Sequence, residues 1–377
     1  MKPFKALIVQ WAMILIVGMA SGCSPPPPTQ SLDIAQALSS DEDSACYDRA
    51  KKSETINLPS DHGPHNGFKT EWWYYTGNLK SGSGRHFGYQ LTFFRQALAC
   101  RTAPGPSKWR TNQFYFAHFA VTDTQNQQFY SAHRMNRQSV GIAGASRSPF
   151  RVWIDAWSAK DIKGPDHARP GSIQLTARDQ EMAIDLTLVP EKAVIFQGDQ
   201  GLSRKGPGPF DASHYYSIPV LITQGKLEIG NESFEVLGKT WFDHEWSTSA
   251  LGDDAGGWDW FAIHLDDGRD LMVCQVRKKD NSPNEYGFGS ISFADGTYEI
   301  LGQSDFSIQA VQLWKSPKTG RQYPARWKIL VPDHTIDLEV SPVMDGQEHS
   351  HMFVYYEGAV RVTGPVTGLG YVEMTGY

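Results

Sequence analysis

From Glu71 onward the chain is a succession of short segments in which apolar and polar residues alternate or aromatic residues cluster, each closed by a turn. EWWYYTGNL, HFGYQLTFF, FYFAHFAVTD, FRVWIDAW, SIQLTARD and MAIDLTLV occupy the first half. DWFAIHL, DLMVCQVRK, GSISF, YEILG, RWKILVP, HTIDLEVSP, FVYYEGAVRVTG and GYVEMTGY occupy the second. Alternation with period two marks a strand with one buried face. The 35 Gly and 22 Pro, with Asp-Gly pairs in DDGRD and ADGTY, supply the turns. No long stretch with helical period competes, so the pattern predicts an all-β chain of antiparallel barrels or sandwiches.

The pattern also repeats. EWWYYTGNL followed by HFGYQLTFF can be laid beside GWDWFAIHL followed by DLMVCQV: an aromatic strand, a turn, an apolar strand. Each pair is expected to open one barrel, the first over residues 59–238 and the second over 239–377, and 377 residues suffice for two domains. Ahead of them, Lys2 and Lys5 precede a 14-residue apolar run, Ala6–Met19. That is shorter than the ~20 residues of a membrane-crossing helix and has the length of a signal-peptide core. Ala20-Ser21-Gly22-Cys23 resembles the bacterial lipobox, which implies removal of residues 1–22 and lipidation of Cys23. Ser24 after the cysteine then implies an outer-membrane lipoprotein facing the periplasm; a plain secretory signal with an incidental cysteine is the other reading. Residues 23–58, with four consecutive prolines in SPPPPTQ, read as a stiff tether.

Charge narrows the partners. The net charge of −6 becomes −8 when residues 1–22, which hold Lys2 and Lys5 and no acid, are removed. With no basic arm, nucleic acid is excluded as a partner, and attachment to a membrane rests on the lipid anchor alone. An oxidising compartment permits a disulfide, and Cys46 and Cys100, both in polar loop-like sequence, are the expected pair. Cys274 in DLMVCQV reads as a small buried hydrophobe. No CxxC or Cys/His zinc spacing exists, and His349 and His351 share a strand face without a third ligand, so neither metal nor cofactor is expected. Gly368-x-Gly370 lacks the strand-to-helix context of a dinucleotide site, and without a G-x-S-x-G elbow a serine hydrolase is unsupported.

The densest chemistry lies in KTWFDHEWSTSALGDDAGGWDWFAIHLDDG, Lys239 to Gly268. In an extended Thr240–Trp246, the side chains of Trp241, Asp243 and Glu245 point one way and those of Phe242, His244 and Trp246 the other, with the two carboxylates about 7 Å apart. TEWWYYTGNL, WFDHEWSTSALG, GWDWFAIHLDDG, YYEGAVRVTG and GLGYVEMTGY, in this order over nearly the whole mature chain, resemble the AttH-like family that includes the carotenoid 1,2-hydratases. The resemblance implies two lipocalin-like β-barrels packed together. It also implies a hydrophobic ligand and, in related members, hydration of terminal isoprenoid double bonds. It carries an H-x-W pair onto His244 and Trp246. Many bacterial members are exported lipoproteins, some encoded beside ABC transporter genes.

Hydration of an isolated alkene needs an acid to protonate carbon, shelter for the cation, and a base for the attacking water. Asp243 is the expected acid, since an apolar site and a like-charged neighbour such as Glu245 both raise a carboxyl pKa. His244 is the expected holder of the water. Trp73, Trp246, Trp258 and Trp260 offer ring faces to a cation. Glu71, Trp73 and Tyr75 share one face of their strand, and Glu71 faces the same cavity as His244 or caps the barrel floor. His118 and His133 read as packing residues. The alternative is a non-catalytic lipid carrier or accessory factor of an ABC-type export complex, in which the Asp-His-Glu run hydrogen-bonds the barrels together.

Overall fold

The computed structural model describes residues 45–162, 171–249, 251–252 and 254–377. The expected signal sequence, Cys23 and the proline run lie outside the described residues. Two antiparallel sheets follow one another along the chain. The first comprises β1 (Thr70–Ser81), β2 (His86–Ala97), β3 (Gln113–Asp123), β4 (Gln128–Arg137), β5 (Ala143–Arg147), β6 (Phe150–Ile154), β7 (Trp157–Asp161), β8 (Ile173–Arg178), β9 (Met182–Pro190), β10 (Ile195–Phe196), β11 (Leu202–Arg204), β12 (Ala212–Ile229) and β13 (Glu232–Ser249). The second comprises β14 (Ala255–Leu265), β15 (Asp270–Lys278), β16 (Phe288–Ser292), β17 (Tyr298–Gly302), β18 (Ser307–Lys315), β19 (Gln322–Val331), β20 (Ile336–Pro342), β21 (Glu348–Ser350), β22 (Val354–Thr363) and β23 (Gly368–Met374).

Strand order in the first sheet is β4-β3-β2-β1-β13-β12-β9-β8-β7-β6-β5, and in the second β17-β16-β15-β14-β23-β22-β20-β19-β18. In both, the two end strands are consecutive in sequence, so each sheet curls into a barrel-like layer around its own core. The hairpins matched by the sequence echo occupy the same place: β1 lies between β2 and β13, and β14 lies between β15 and β23. Period-two alternation sorts the side chains. Trp73, Tyr75, Phe93, Tyr115 and Phe242 fill the first barrel, and Phe261, Trp327, Ile329 and Val360 the second. The opposite faces of β1, β13, β14 and β15 meet in a third core that includes Tyr74, Tyr215, Trp241, Trp260, Met272 and Tyr371. Burial on both faces is why β1, β2 and β3 read as near-continuous apolar runs rather than clean alternation.

The barrels approach closely. A Cβ on Gly88 of β2 would lie 2.5 Å from that of Ala359 in β22, so only glycine fits there. Around this contact, Asn78 donates to the Gly370 carbonyl (3.0 Å), Thr122 to Gln347 (2.7 Å) and Gln197 to Ser290 (3.0 Å). Lys192 reaches across to Asp270 and the Gly268 carbonyl.

Two expected boundaries shift. Lys239–Ser249 pairs with β1 and β12 and belongs to the first barrel, so the chain changes sheets after Ser249 rather than at Lys239. Alternation alone reveals a strand but not which sheet supplies its neighbours. Residues 46–58, read from the sequence as part of the tether, pack on the first barrel instead: Cys46 is bonded to Cys100 with a Cα separation of 6.0 Å, Ala50 is buried, and Ile56 and Leu58 pack on the first core.

Candidate functional site

β13 is the element that divides the chemistry. Register places His244 opposite Trp73 of β1 and Tyr216 of β12, all facing into the first barrel. Asp243 lies opposite Tyr74 and Ser217, and Glu245 opposite Trp72 and Tyr215, all facing the second sheet. Adjacent residues of one strand therefore serve two separate constellations.

The outward one borders a cavity of about 60 Å³ between the sheets. Trp72, Tyr74, Phe94, Trp258, Trp260 and Phe288 form most of its apolar wall, and Asp243, Glu245, Lys205 and Glu373 its polar part. Asp243 is buried, and its carboxyl takes three donors: Tyr215 Oη to Oδ2 at 2.6 Å, Ser217 Oγ to Oδ1 at 2.5 Å and Trp241 Nε1 to Oδ1 at 2.7 Å. Burial outweighs these donors, and with the charge of Glu245 it pushes the Asp243 pKa up to about 7. An indole can only donate, so in the acid form Oδ1 remains an acceptor for Trp241. The proton then sits on Oδ2, where the Tyr215 oxygen can accept it. Tyr215 itself lines the cavity.

Glu373 of β23 behaves alike: burial, with the charges of Asp243 and Glu245, raises it to about 8 against a hydrogen bond from Trp258. Behind the wall its cross-strand partner Glu357 accepts from Tyr74 at 2.5 Å, while its other oxygen has no hydrogen-bond partner. Burial and Glu373 raise the Glu357 pKa well above the usual carboxyl range. Lys205 stands 3.2 Å from Glu245, and its ammonium lies 3.7 Å from the ring centroid of Phe288. The cavity thus combines aromatic faces, two carboxyls that hold protons near neutrality, and one cation.

The inward constellation is a closed network under the loop Asp61–Phe68. Glu71 Oε1 lies 3.0 Å from His244 Nε2 and 2.8 Å from His65 Nδ1, while Arg95 Nε donates to Glu71 Oε2 at 2.7 Å. Burial alone would raise Glu71, but Arg95 and His65 outweigh it and hold the carboxyl well below its ordinary range. Burial pulls His244 down to about 4, against the attraction of Glu71. His65 stacks on Trp246 at 3.8 Å and His244 on Trp73 at 4.9 Å.

The expected site residues therefore separate. Asp243, Glu245, Trp258 and Trp260 meet at the cavity. Glu71, Trp73, Tyr75, His244 and Trp246 lie inside the first barrel and do not line it, because they occupy the other parity of β1 and β13. Trp72 and Tyr74, the even positions of the same aromatic run, are the wall residues that the odd-face reading passes over; alternation separates them from Trp73 and Tyr75 but does not say which face meets the second sheet. Lys205, Tyr215, Phe288 and Glu373 carry no local signal, since each reaches the cavity from a different strand or loop.

His118, His133, His349 and His351, scattered in sequence, also come together between the sheets. His118 Nδ1 lies 2.7 Å from the Tyr355 hydroxyl, His351 Nε2 lies 3.0 Å from Ser131 Oγ, and the rings of His133 and His351 are 4.6 Å apart. His349 is buried and stacked on Tyr355 at 4.8 Å, and neither ring nitrogen has a hydrogen-bond partner. Burial and the neighbouring imidazoles lower His118 to about 3 and His349 well below the ordinary value.

Comparison with known proteins gives this arrangement a family. The AttH-like family profile matches residues 49–377. The fold is similar to the crystal structure of a Nitrosomonas europaea protein described as an AttH, with 31% identity, a TM-score of 0.76, and coverage of 88% of this chain and 99% of that one. It is also similar to kievitone hydratase from Nectria haematococca, with 15% identity, a TM-score of 0.64, and coverage of 90% and 98%. A comparison with curated protein sequences finds no match. The chain, two packed lipocalin-like antiparallel β-barrels, belongs to the AttH-like family.

Proposed function

We propose that the protein binds a long apolar, isoprenoid- or lipid-like molecule and hydrates a carbon–carbon double bond in the cavity between the barrels. The observation that carries this reading is Asp243, a carboxyl with a pKa of about 7 on the wall of an aromatic cavity. A general acid is most effective when its pKa lies near the working pH. Asp243 delivers its proton to the less substituted alkene carbon, and the π pair forms the new C–H bond. The resulting tertiary cation is sheltered by the faces of Trp72, Trp258 and Trp260, each interaction worth roughly 2 kcal/mol when water is excluded. Water adds to the cation and gives its extra proton back to the Asp243 carboxylate, so one H₂O is gained and the acid is restored.

A cavity of about 60 Å³ is small beside the ~300–1,000 Å³ of clefts that hold whole drug-sized ligands. It suits the reacting end of a chain, with the remainder lying outside. The hydratase among the structural relatives supports the reading at the level of fold. The expected anchor at Cys23 would place the protein at the outer membrane, facing the periplasm. A lipid carrier working with an ABC-type exporter is the alternative, in which the same cavity holds the ligand without turnover.

The test is native mass spectrometry of the protein purified from its own envelope, in wild-type and Asp243→Asn forms. A co-purifying apolar molecule, partly carrying one added water in the wild type and none in the variant, supports hydration. The same molecule unaltered in both forms establishes the carrier instead.

A further inference from the structure

We propose that His65, Glu71 and His244, inside the first barrel and apart from the cavity, form a binding site for a divalent transition ion of the zinc type. One ligand atom from each (His65 Nδ1, a Glu71 oxygen and His244 Nε2) lies within 4.8 Å of the others. Two imidazole nitrogens and a carboxylate oxygen are a borderline-soft N₂O set, suited to four-coordinate Zn²⁺ with an open fourth position. The Glu71–His65 and Glu71–His244 separations, 2.8 and 3.0 Å, are shorter than the roughly 3.4 Å between ligands of a tetrahedral ion with ~2.1 Å bonds, so binding opens these two pairs by about half an ångström.

What distinguishes this trio from an ordinary buried hydrogen-bond cluster is that two of its three members, His244 and Glu71, are held from behind, while His65 Nε2 lies 3.5 Å from Asp61 without a hydrogen bond. The far nitrogen of His244, Nδ1, lies 3.2 Å from the Tyr216 hydroxyl, which in turn meets His62 Nδ1 at 2.6 Å. The second oxygen of Glu71 is held by Arg95, leaving Oε1 as the one that faces both imidazoles. Outer partners of this kind fix the tautomer and direction of metal-binding side chains. His65 and Asp61 belong to the covering loop and keep 10% and 16% of their side chains exposed, so that side is the route of entry.

Charge favours a cation here, since Glu71 and Asp61 carry two negative charges against one on Arg95.

The experiment is titration of tag-free full-length protein with Zn²⁺ and with Co²⁺ at a single neutral pH, reading calorimetric stoichiometry and Co²⁺ d–d absorption. The expected result is about one equivalent, with visible absorption of four- or five-coordinate cobalt. His65→Ala, a change on the loop, lowers affinity at least 100-fold with the far-ultraviolet spectrum unchanged, and His334→Ala leaves it intact. Failure of the folded wild type to bind either ion stoichiometrically overturns the proposal, as does equal affinity in wild type and His65→Ala. Neither outcome bears on turnover at Asp243, so the two proposals fail separately.

Discussion

Asp243 sits at the meeting of two demands, since its hydrogen bonds suit a carboxylate and its burial suits an acid. Asn preserves the acceptor Oδ1 for Trp241 and Ser217 and places an amide where Tyr215 can accept, so Asp243→Asn keeps the geometry and loses only the proton. Turnover should fall by about 10²–10⁴-fold with ligand affinity changed less than about threefold, measured by product formation and by ligand titration. The same substitution should alter stability against pH. With a folded pKa of about 7 against an ordinary 3.8, the native state binds the extra proton between those values. Asp243 therefore favours folding at acid pH, and that contribution is lost as pH rises from about 4 to 7, at up to about 1.4 kcal/mol per pH unit. Thermal melts at pH 5 and pH 8 should show Asp243→Asn narrowing the difference between them. His349 titrates in the opposite sense. Its ring has no hydrogen-bond partner and stacks on Tyr355, so His349→Phe should stabilise the fold by about 1–3 kcal/mol at pH 7. It should also reduce the loss of stability that begins as pH falls below 6.5, where the unfolded chain takes up protons that buried His349 and His118 refuse.

At the scale of elements, β12 and β13 are 18 residues each, long enough to serve the first barrel along one face and the inter-barrel core along the other. β12 stays continuous through Pro219 because the register shifts between Ile218 and Leu221, a bulge that removes the need for the missing N–H. The segment before β1 is held by the Cys46–Cys100 bond, which closes 54 residues of sequence. By the loop-entropy relation, Cys46→Ser should lower stability by about 4 kcal/mol, read as a drop in denaturant midpoint that dithiothreitol reproduces in the wild type. This scale also shows what the sequence could disclose. Alternation exposed the strands, the duplicated hairpins and the two faces of Thr240–Trp246, because side-chain parity is a local property. It does not say which parity of β1 faces the second sheet, so it leaves Trp73 and Tyr75 undistinguished from Trp72 and Tyr74, which line the cavity. Nor could it gather His118 with His349, or Lys205 with Glu373, since those meetings depend on how two sheets dock.

At the scale of the whole molecule, the inter-barrel core is as buried as either barrel interior, with Tyr74, Trp241, Trp260 and Tyr371 each at most 5% exposed. Separated barrels would uncover these rings and the buried carboxyl partners Glu357 and Tyr74 together. Calorimetry of the full chain should therefore show a single cooperative transition, and two well-separated transitions would contradict a shared core. The cavity exists only while the sheets are docked, which makes binding and inter-barrel stability one linked property. Addition of water to an alkene through Asp243 is tested by supplying terminal isoprenoid alkenes in H₂¹⁸O to wild type and Asp243→Asn and following the products by mass spectrometry. The wild type should place one labelled oxygen in each product, and the variant should react at least about 100-fold more slowly with binding retained. Equal labelling by both forms, or binding by both with no labelled product, would contradict it.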